Sequence, residues 1–174
     1  MFYALMIDSN GNGIGSHAYV EQPSSYPSNE IPCTEAQAKT PMAYQVVNGQ
    51  IVESLAYAKT SQIALLQSAF EKAEQAPVSI TLVSGVTPSF GMTPHDWTKI
   101  VGLYSKYVAK GAPLPSGYQI PDVKGVLQAV TVADIENLFD AGETQMTGAI
   151  AKLASLAGQV EAATTVSTVQ AIVW

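Results

Sequence analysis

The sequence predicts an α+β protein, in which an N-terminal antiparallel β unit is followed by a helix–hairpin–helix domain ending in a helical pair. Two observations lead to this prediction. Two apolar runs flank the dipeptide Asn48-Gly49, which is the strongest short-range signal for a β-hairpin. Residues 56–76 contain neither glycine nor proline, and their apolar residues recur at helical spacing. We therefore predict a small β unit over residues 1–55, with a Pro-rich loop, and an α+β domain over residues 56–174.

The β unit is predicted to begin with a strand over residues 2–7, which ends at a turn rich in Asp, Asn and Gly. Residues 16–21 fit the returning strand. Residues 22–41 contain four prolines, and we expect a surface loop without a helix or an interior strand there. The hairpin around Asn48-Gly49 then has its strands at residues 42–47 and 50–53. A β unit of this size needs support from the remaining chain or from a partner.

The second domain is predicted to open with the helix over residues 56–76 and a hairpin over residues 78–90. Thr93 and Pro94 are typical of an N-cap and a first helical position, so a second helix begins there and ends at Gly111. The apolar stripe of this helix consists of Trp97, Ile100, Val101, Tyr104 and Val108.

The last third is predicted to pass through a Pro/Gly loop over residues 112–121 and a short strand over residues 123–130, interrupted at Gly125. Thr131 and Asp134 repeat the helix-cap pattern. The apolar stripe behind them runs to about residue 163, and Gly142 is the candidate break that would divide it into two helices. A short final helix follows Thr165.

Composition restricts the chemistry that this chain can perform. All eight basic residues are lysines, the net charge is −6, and there are two histidines and one cysteine. The lysines are scattered, which argues against a nucleic-acid partner. The sequence contains no run of about 18 apolar residues, so it predicts no membrane span. The N-terminus lacks the pattern of a signal peptide. Cys33 has no neighbouring His or Lys and is interpreted as a spectator thiol.

Two motifs have both a chemical and a plain interpretation. Asp8-x-Asn10-x-Asn12 matches the first half of a calcium loop, but Tyr19 stands where the closing glutamate belongs, so a β-turn is the preferred interpretation. His95 and His17 have polar neighbours, but no nucleophile motif accompanies either one. We therefore expect no catalytic residue, no metal site and no cofactor.

One helical stripe is a candidate contact with a partner. It spans about two heptads, whereas a secure coiled-coil prediction needs three or four. Packing inside its own domain is the preferred interpretation, and association with a partner helix is the functional alternative. The stripe consists of Met146, Ile150, Leu153, Leu156 and Val160.

Several segments of the second domain together carry a family resemblance. They are residues 62–66, the run from Ala76 to Thr87, Thr131 to Asp134, and the ending from Ala162 to Trp174. Over residues 56–174 the chain resembles a C-terminal domain of unknown function that small tail-associated proteins of bacteriophages and prophages carry. The shared motifs are structural, so the resemblance implies no active-site residue.

The resemblance implies a non-enzymatic structural protein of a phage tail, associated with the baseplate or a tail fibre and acting through protein–protein contacts. The expected partners are other tail proteins, including the tail fibre, and the protein is expected to be an oligomer or part of a larger assembly. Its expected location is the virion tail, and the host cytoplasm during assembly. A chaperone-like tail fibre assembly factor is the alternative. The residues also leave open a glycan hydrolase that uses Glu53, Glu71 or Asp96, and a glycan-binding module that uses exposed tyrosines.

Overall fold

A computed structural model describes residues 1–174 and confirms the α+β class, with small antiparallel sheets and helices. The chain forms two compact units. The first unit comprises Met1–Leu66 and Leu156–Val173, and the second comprises Gln67–Ser155 with Trp174. The sequence-predicted boundary after residue 55 thus lies inside the first unit.

The first unit contains a three-stranded antiparallel sheet with β1 (Phe2–Ile7) between β2 (Gly13–Tyr19) and β3 (Glu30–Cys33). The first strand has the predicted bounds, whereas its partner begins three residues earlier than predicted. Ala4 and Leu5 are both fully buried. Because successive side chains point to opposite faces, both faces of β1 are covered there.

The expectation of a loop throughout residues 22–41 is wrong. This segment contains β3 and a short helix, α1 (Glu35–Lys39). Thr34 caps the helix, since its hydroxyl accepts the Gln37 N–H at 3.2 Å while the Gln37 side-chain oxygen accepts the Thr34 N–H at 2.9 Å. Pro32 is tolerated because β3 is an edge strand, where a missing N–H leaves no neighbouring strand unpaired.

The predicted hairpin is confirmed as β4 (Tyr44–Val47) and β5 (Gln50–Glu53). Asn48 and Gly49 both have positive φ, 52° and 76°, as the tight turn between twisted strands requires. The helix α2 (Leu55–Glu74) follows close to its predicted bounds, and α5 (Val166–Gln170) is the expected short final helix. The buried Gln62 of α2 donates a hydrogen bond to the Ile172 carbonyl at 2.5 Å.

The second unit includes the predicted hairpin, but its paired strands are short: β6 (Val78–Ser79) and β7 (Ser89–Phe90). Pro88 has no N–H to donate to the opposite strand. Between the paired strands and the turn, the two chains are joined only by isolated hydrogen bonds, such as the one from the Leu82 N–H to the Val86 carbonyl at 2.8 Å. The hairpin is therefore present with a shorter ladder than its sequence pattern predicts.

The helix α3 (Pro94–Leu103) has the predicted Thr93 N-cap and passes into a π-helix (Tyr104–Ala109). The predicted apolar stripe is partly wrong, because Val101 is 38% exposed while Tyr107 is buried. The core of the second unit consists of Val78, Ile80, Leu82, Phe90, Met92, Ile100, Tyr107, Val130, Ile135 and Leu138.

Two further expectations for this unit are wrong. The supposed loop over residues 112–121 contains β8 (Gln119–Pro121), which pairs with β9 (Leu127–Ala129) around a turn at Gly125. The helix α4 (Val132–Ala162) is continuous, so Gly142 does not divide it. None of the helices combines the length and the apolarity that crossing a membrane requires.

Candidate partner-binding groove

A groove of about 460 Å³ in the second unit is the candidate functional site, and its volume is within the range of ligand-binding pockets. It lies between the helical segment of α3 and the π-helix on one side and the strand β8 on the other. The buried side chains of Phe90, Ile100 and Leu138 provide its apolar floor. The lining residues are Phe90, Gly91, Asp96, Lys99, Ile100, Gly102, Leu103, Lys106, Tyr107, Tyr118, Gln119, Ile120, Pro121 and Leu138.

The helical wall of the groove includes the π-helix. Its wider turn is visible in the bond from the Lys110 N–H to the Ser105 carbonyl, five residues earlier, at 3.2 Å. Fewer than about 1% of residues in globular proteins adopt this conformation, and it occurs frequently at functional sites. Lys106 and Tyr107 of the π-helix both line the groove.

Two tyrosines and a lysine form an aromatic cluster beside the apolar floor. The rings of Tyr107 and Tyr118 have centroids 5.9 Å apart and are tilted by 55°. The Lys106 ammonium group lies 4.9 Å from the centroid of the Tyr107 ring, within the range of a cation–π interaction. The groove therefore offers apolar and aromatic contact with a positive charge next to it.

The net charge along the groove is positive. Lys99 and Lys106 line it, and neither forms an ion pair, since the ion pairs of the chain are His17 with Glu30 and Lys39 with Glu35. One carboxylate, that of Asp96, also lines the groove and accepts the Thr93 hydroxyl at 2.6 Å. The groove is thus a locally cationic site in a protein whose net charge is −6.

The strand wall of the groove has a free hydrogen-bonding position at Gln119. Farther along the same edge, the Val123 N–H already donates to the Ser89 carbonyl at 2.9 Å. The Tyr118 carbonyl accepts the Val130 N–H at 3.1 Å, and the Asp122 N–H donates to the Val126 carbonyl at 2.9 Å. Pairing in an antiparallel ladder alternates along a strand, so the N–H and C=O of Gln119 point away from β9. Gln119 also lines the groove, and these two backbone groups have no hydrogen-bond partner in the chain.

A separate polar cluster lies on the sheet of the first unit. His17 is opposite Ala4 and Glu30 is opposite Met6, so all four share one face. The small Ala4 side chain leaves room for His17 Nδ1 to approach Glu30 Oε1 at 2.7 Å, while the Tyr19 hydroxyl donates to Glu30 Oε2. The hydrogen bond to the Glu30 carboxylate, together with burial and the nearby charge, raises the pKa of Tyr19.

The substitution Tyr19→Phe tests this cluster. It removes a donor from the buried Glu30 carboxylate, and we therefore expect the free energy of unfolding to fall. Tyr26→Phe is the matched control, because the Tyr26 ring packs edge-on against Tyr19 at 5.8 Å and its hydroxyl makes no hydrogen bond in the structure. Urea denaturation of both variants measures the difference, and equal stabilities would contradict a structural role for this bond.

The Asp8 turn is organised by its own carboxylate. Asp8 Oδ1 accepts the N–H groups of Asn10 and Asn12 at 2.8 and 2.9 Å, and Oδ2 accepts the Asn12 side-chain amide at 3.0 Å. These bonds, led by the Asn12 side chain, hold the pKa of Asp8 below its usual value. The carboxylate thus closes the preferred β-turn, with Gly11 at φ 82°.

The turn at Asp122 has the same construction. Asp122 Oδ1 accepts the N–H groups of Lys124 and Val126 at 2.8 and 3.0 Å, and Gly125 has φ 77° at the position equivalent to Gly11. The pattern Asp-x-x-Gly therefore closes two hairpins of this chain in the same way. The second copy lacks the alternating Asn residues that suggested calcium.

The structure distributes the candidate partner-contact helix over different environments. In the second unit, Met146 and Leu153 are half-buried and Ile150 is 52% exposed. In the first unit, Leu156 is half-buried and Val160 is 0% exposed. Only Ile150 of the five therefore presents most of its side chain to a partner.

The carboxylates and the other histidine considered from the sequence occupy ordinary positions. Glu53 ends β5 in the first unit beside Tyr57, at a shallow cavity of about 240 Å³. In the second unit, Glu71 is exposed on α2, His95 lies in the first turn of α3, and Asp96 lines the groove.

The single thiol gives a further prediction. Burial raises the pKa of Cys33, so less reactive thiolate forms at pH 8 than in an unstructured peptide. We expect iodoacetamide to alkylate Cys33 severalfold more slowly in the native protein than in the unfolded protein. Urea at about 8 M unfolds a typical small protein and provides the unfolded sample. Intact-mass spectrometry follows the reaction, and equal rates in the two states would contradict the interpretation of a sheltered spectator thiol.

The sequence did not single out the groove residues Lys99, Lys106 and Gln119, and it gave Tyr118 only as one of eight tyrosines that could contact a glycan or a protein. One signal was available, since Lys99 and Lys106 are seven residues apart, which places them on one face of a helix two turns apart. Tyr118 and Gln119 reach the groove through tertiary packing, for which the sequence has no local pattern.

Comparisons of this chain with protein-family models, with curated proteins and with solved structures found no match.

Proposed function

We propose that this protein is a non-enzymatic structural component of a bacteriophage tail, associated with the baseplate or a tail fibre, that binds a neighbouring tail protein through the groove of its second unit. The groove is the observation that supports binding. The resemblance of residues 56–174 to tail-associated phage proteins supports the tail as the setting.

The composition of the groove suits a protein partner. Protein interfaces have an apolar, aromatic centre within a polar rim, and tyrosine is enriched among the residues that contribute most to affinity. Here Tyr107 and Tyr118 lie beside the apolar floor. The charged residues at its border are Lys99, Lys106 and Asp96. The free edge at Gln119 adds a backbone site of the kind that binds extended peptides.

Exposed apolar side chains near two hairpin turns of the same unit also support protein–protein contact. The residues Val83 and Val86 flank the turn between β6 and β7, and Val123, Val126 and Leu127 lie around the turn between β8 and β9. Each of the five is at least half exposed. Grouped exposed apolar residues on a soluble surface are typical of interaction sites.

The test is to locate the protein in particles and to alter the groove. We expect mass spectrometry of purified virions from a host carrying the gene to detect this chain with the tail proteins. The double variant Lys99→Glu/Lys106→Glu should lose incorporation. Lys59→Glu/Lys72→Glu makes the same change in net charge on α2, outside the groove lining and outside both hairpin turns, and should be incorporated normally.

Two results would contradict the proposal. Absence from virions, combined with binding to a tail protein in infected-cell lysate, would favour the assembly factor. Clearing of a cell-wall suspension by the purified protein, with loss of clearing in Asp96→Asn, would favour a hydrolase.

A further inference from the structure

The chemistry of the groove restricts what can occupy it. Lys99 and Lys106 form no ion pair in the chain, and the one carboxylate that lines the groove, that of Asp96, leaves an excess of positive charge there. Covering the two ammonium groups removes them from water, and an occupant that carries negative charge compensates for that loss. Charge complementarity therefore selects an anionic ligand, although the protein as a whole is acidic.

The shape of the groove restricts the conformation of its occupant. Gln119 lines the groove and directs its N–H and C=O away from β9. Two residues later on the same edge, Pro121 has a carbonyl but no N–H. An extended chain lying along β8 can exchange two hydrogen bonds with Gln119. Alternate side chains of such a chain point to the same side. One of them can therefore reach the floor formed by Phe90, Ile100 and Leu138.

We propose that the groove binds an extended acidic segment of the partner protein, which pairs with the edge of β8 and places one aromatic side chain on the apolar floor, with acidic neighbours at Lys99 and Lys106. This inference rests on the proposed function for the identity of the partner as a tail protein. The peptide chemistry itself follows from the groove.

The binding test uses fluorescein-labelled peptides and the full chain. The probe is acetyl-Glu-Glu-Phe-Glu-Glu-amide, and the comparison peptides replace Phe by Gly or every Glu by Lys. We expect fluorescence anisotropy at low salt to show binding of the probe that is about tenfold tighter than binding of either comparison peptide, because each lacks the apolar anchor or the complementary charge.

Two double variants separate the groove from the rest of the surface. Lys99→Glu/Lys106→Glu should weaken probe binding by about tenfold, because it replaces two attractions by two repulsions. Lys59→Glu/Lys72→Glu, with both changes on α2, has the same net charge and should change the affinity by less than about threefold. Circular dichroism of each variant verifies its fold before binding is measured.

A second measurement tests the strand pairing. We expect hydrogen exchange of the Gln119 amide, followed by NMR, to slow when the probe is added, because that N–H becomes hydrogen bonded. Equal affinities for acidic and basic peptides, an unaffected groove variant, or an unprotected Gln119 amide would overturn the proposal, as would binding of a cell-wall oligosaccharide in place of the peptide. Probe binding by a protein that is absent from virions would refute only the tail assignment. Failure of the peptides with a protein that is present in virions would refute only the acidic segment.

Discussion

Replacing Asp134 by alanine is expected to lower the free energy of unfolding of the second unit by about 3–4 kcal/mol. Asp134 is only 1% exposed, and its carboxylate has three donors. Oδ1 accepts the Val83 N–H at 2.7 Å, and Oδ2 accepts the N–H and the hydroxyl of Thr131 at 2.8 and 2.7 Å. The side chain thus completes the cap of α4 and also attaches the β6–β7 hairpin turn to that helix end.

The size of this effect follows from what the truncation leaves behind. The N–H groups of Val83 and Thr131 would lose their acceptor in a partly buried site, and each unsatisfied group costs about 1–3 kcal/mol. The Thr131 hydroxyl still accepts the residue-134 N–H in this variant, so the N-cap itself is retained and adds nothing to the loss. Asp134→Asn should recover only part of the loss, since its amide keeps the size but turns one acceptor into a donor that faces another donor.

The matched control is Asp140→Ala in the same helix. Asp140 is exposed and makes no side-chain hydrogen bond in the structure, so its loss should change stability by less than about 0.5 kcal/mol. Urea denaturation followed by circular dichroism compares the three variants with the parent. A loss below about 1 kcal/mol for Asp134→Ala would mean that its carboxylate does not hold the hairpin as the structure has it.

Asp134 also shows how far the sequence could predict this fold. The residue types of Thr131 and Asp134 predict a cap because capping depends on neighbours within one turn. The bond to Val83 joins residues 51 positions apart, which no local pattern indicates. The groove likewise depends on long-range packing, because Lys99 and Tyr118 belong to different parts of the chain that meet only in the folded protein.

Two segments that were predicted wrongly do contain a local signal for the structure that they adopt. Thr34 and Gln37 have the spacing of a capping box, but the prolines around them favoured a loop. In the same way, Asp122 and Gly125 match Asp8 and Gly11, and this match would have placed a hairpin turn where a strand was predicted.

The substitution Gly142→Ala is expected to destabilise the second unit by about 1–3 kcal/mol, although alanine is the better helix former by about 1 kcal/mol. A Cβ atom at Gly142 would lie 2.1 Å from Met92 Cε and 2.5 Å from Trp97 Cζ3. The Met92 methyl group is flexible but buried, and the Trp97 ring stacks on Phe139 with centroids 5.3 Å apart. Since Trp97 cannot move without disturbing this stack, the added methyl group forces the packing apart.

Gly148→Ala makes the same chemical change in the same helix, where nothing lies within 4 Å of the added Cβ. It should therefore stabilise the protein by about 0.5–1 kcal/mol through helix propensity alone. Thermal and urea unfolding of the two variants should give shifts of opposite sign. If both alanines stabilise the protein, the close contact of Met92 and Trp97 with the helix backbone is wrong. Opposite signs would show that Gly142 is a packing residue, which lets α4 approach Met92 and Trp97 closely, and not a helix break.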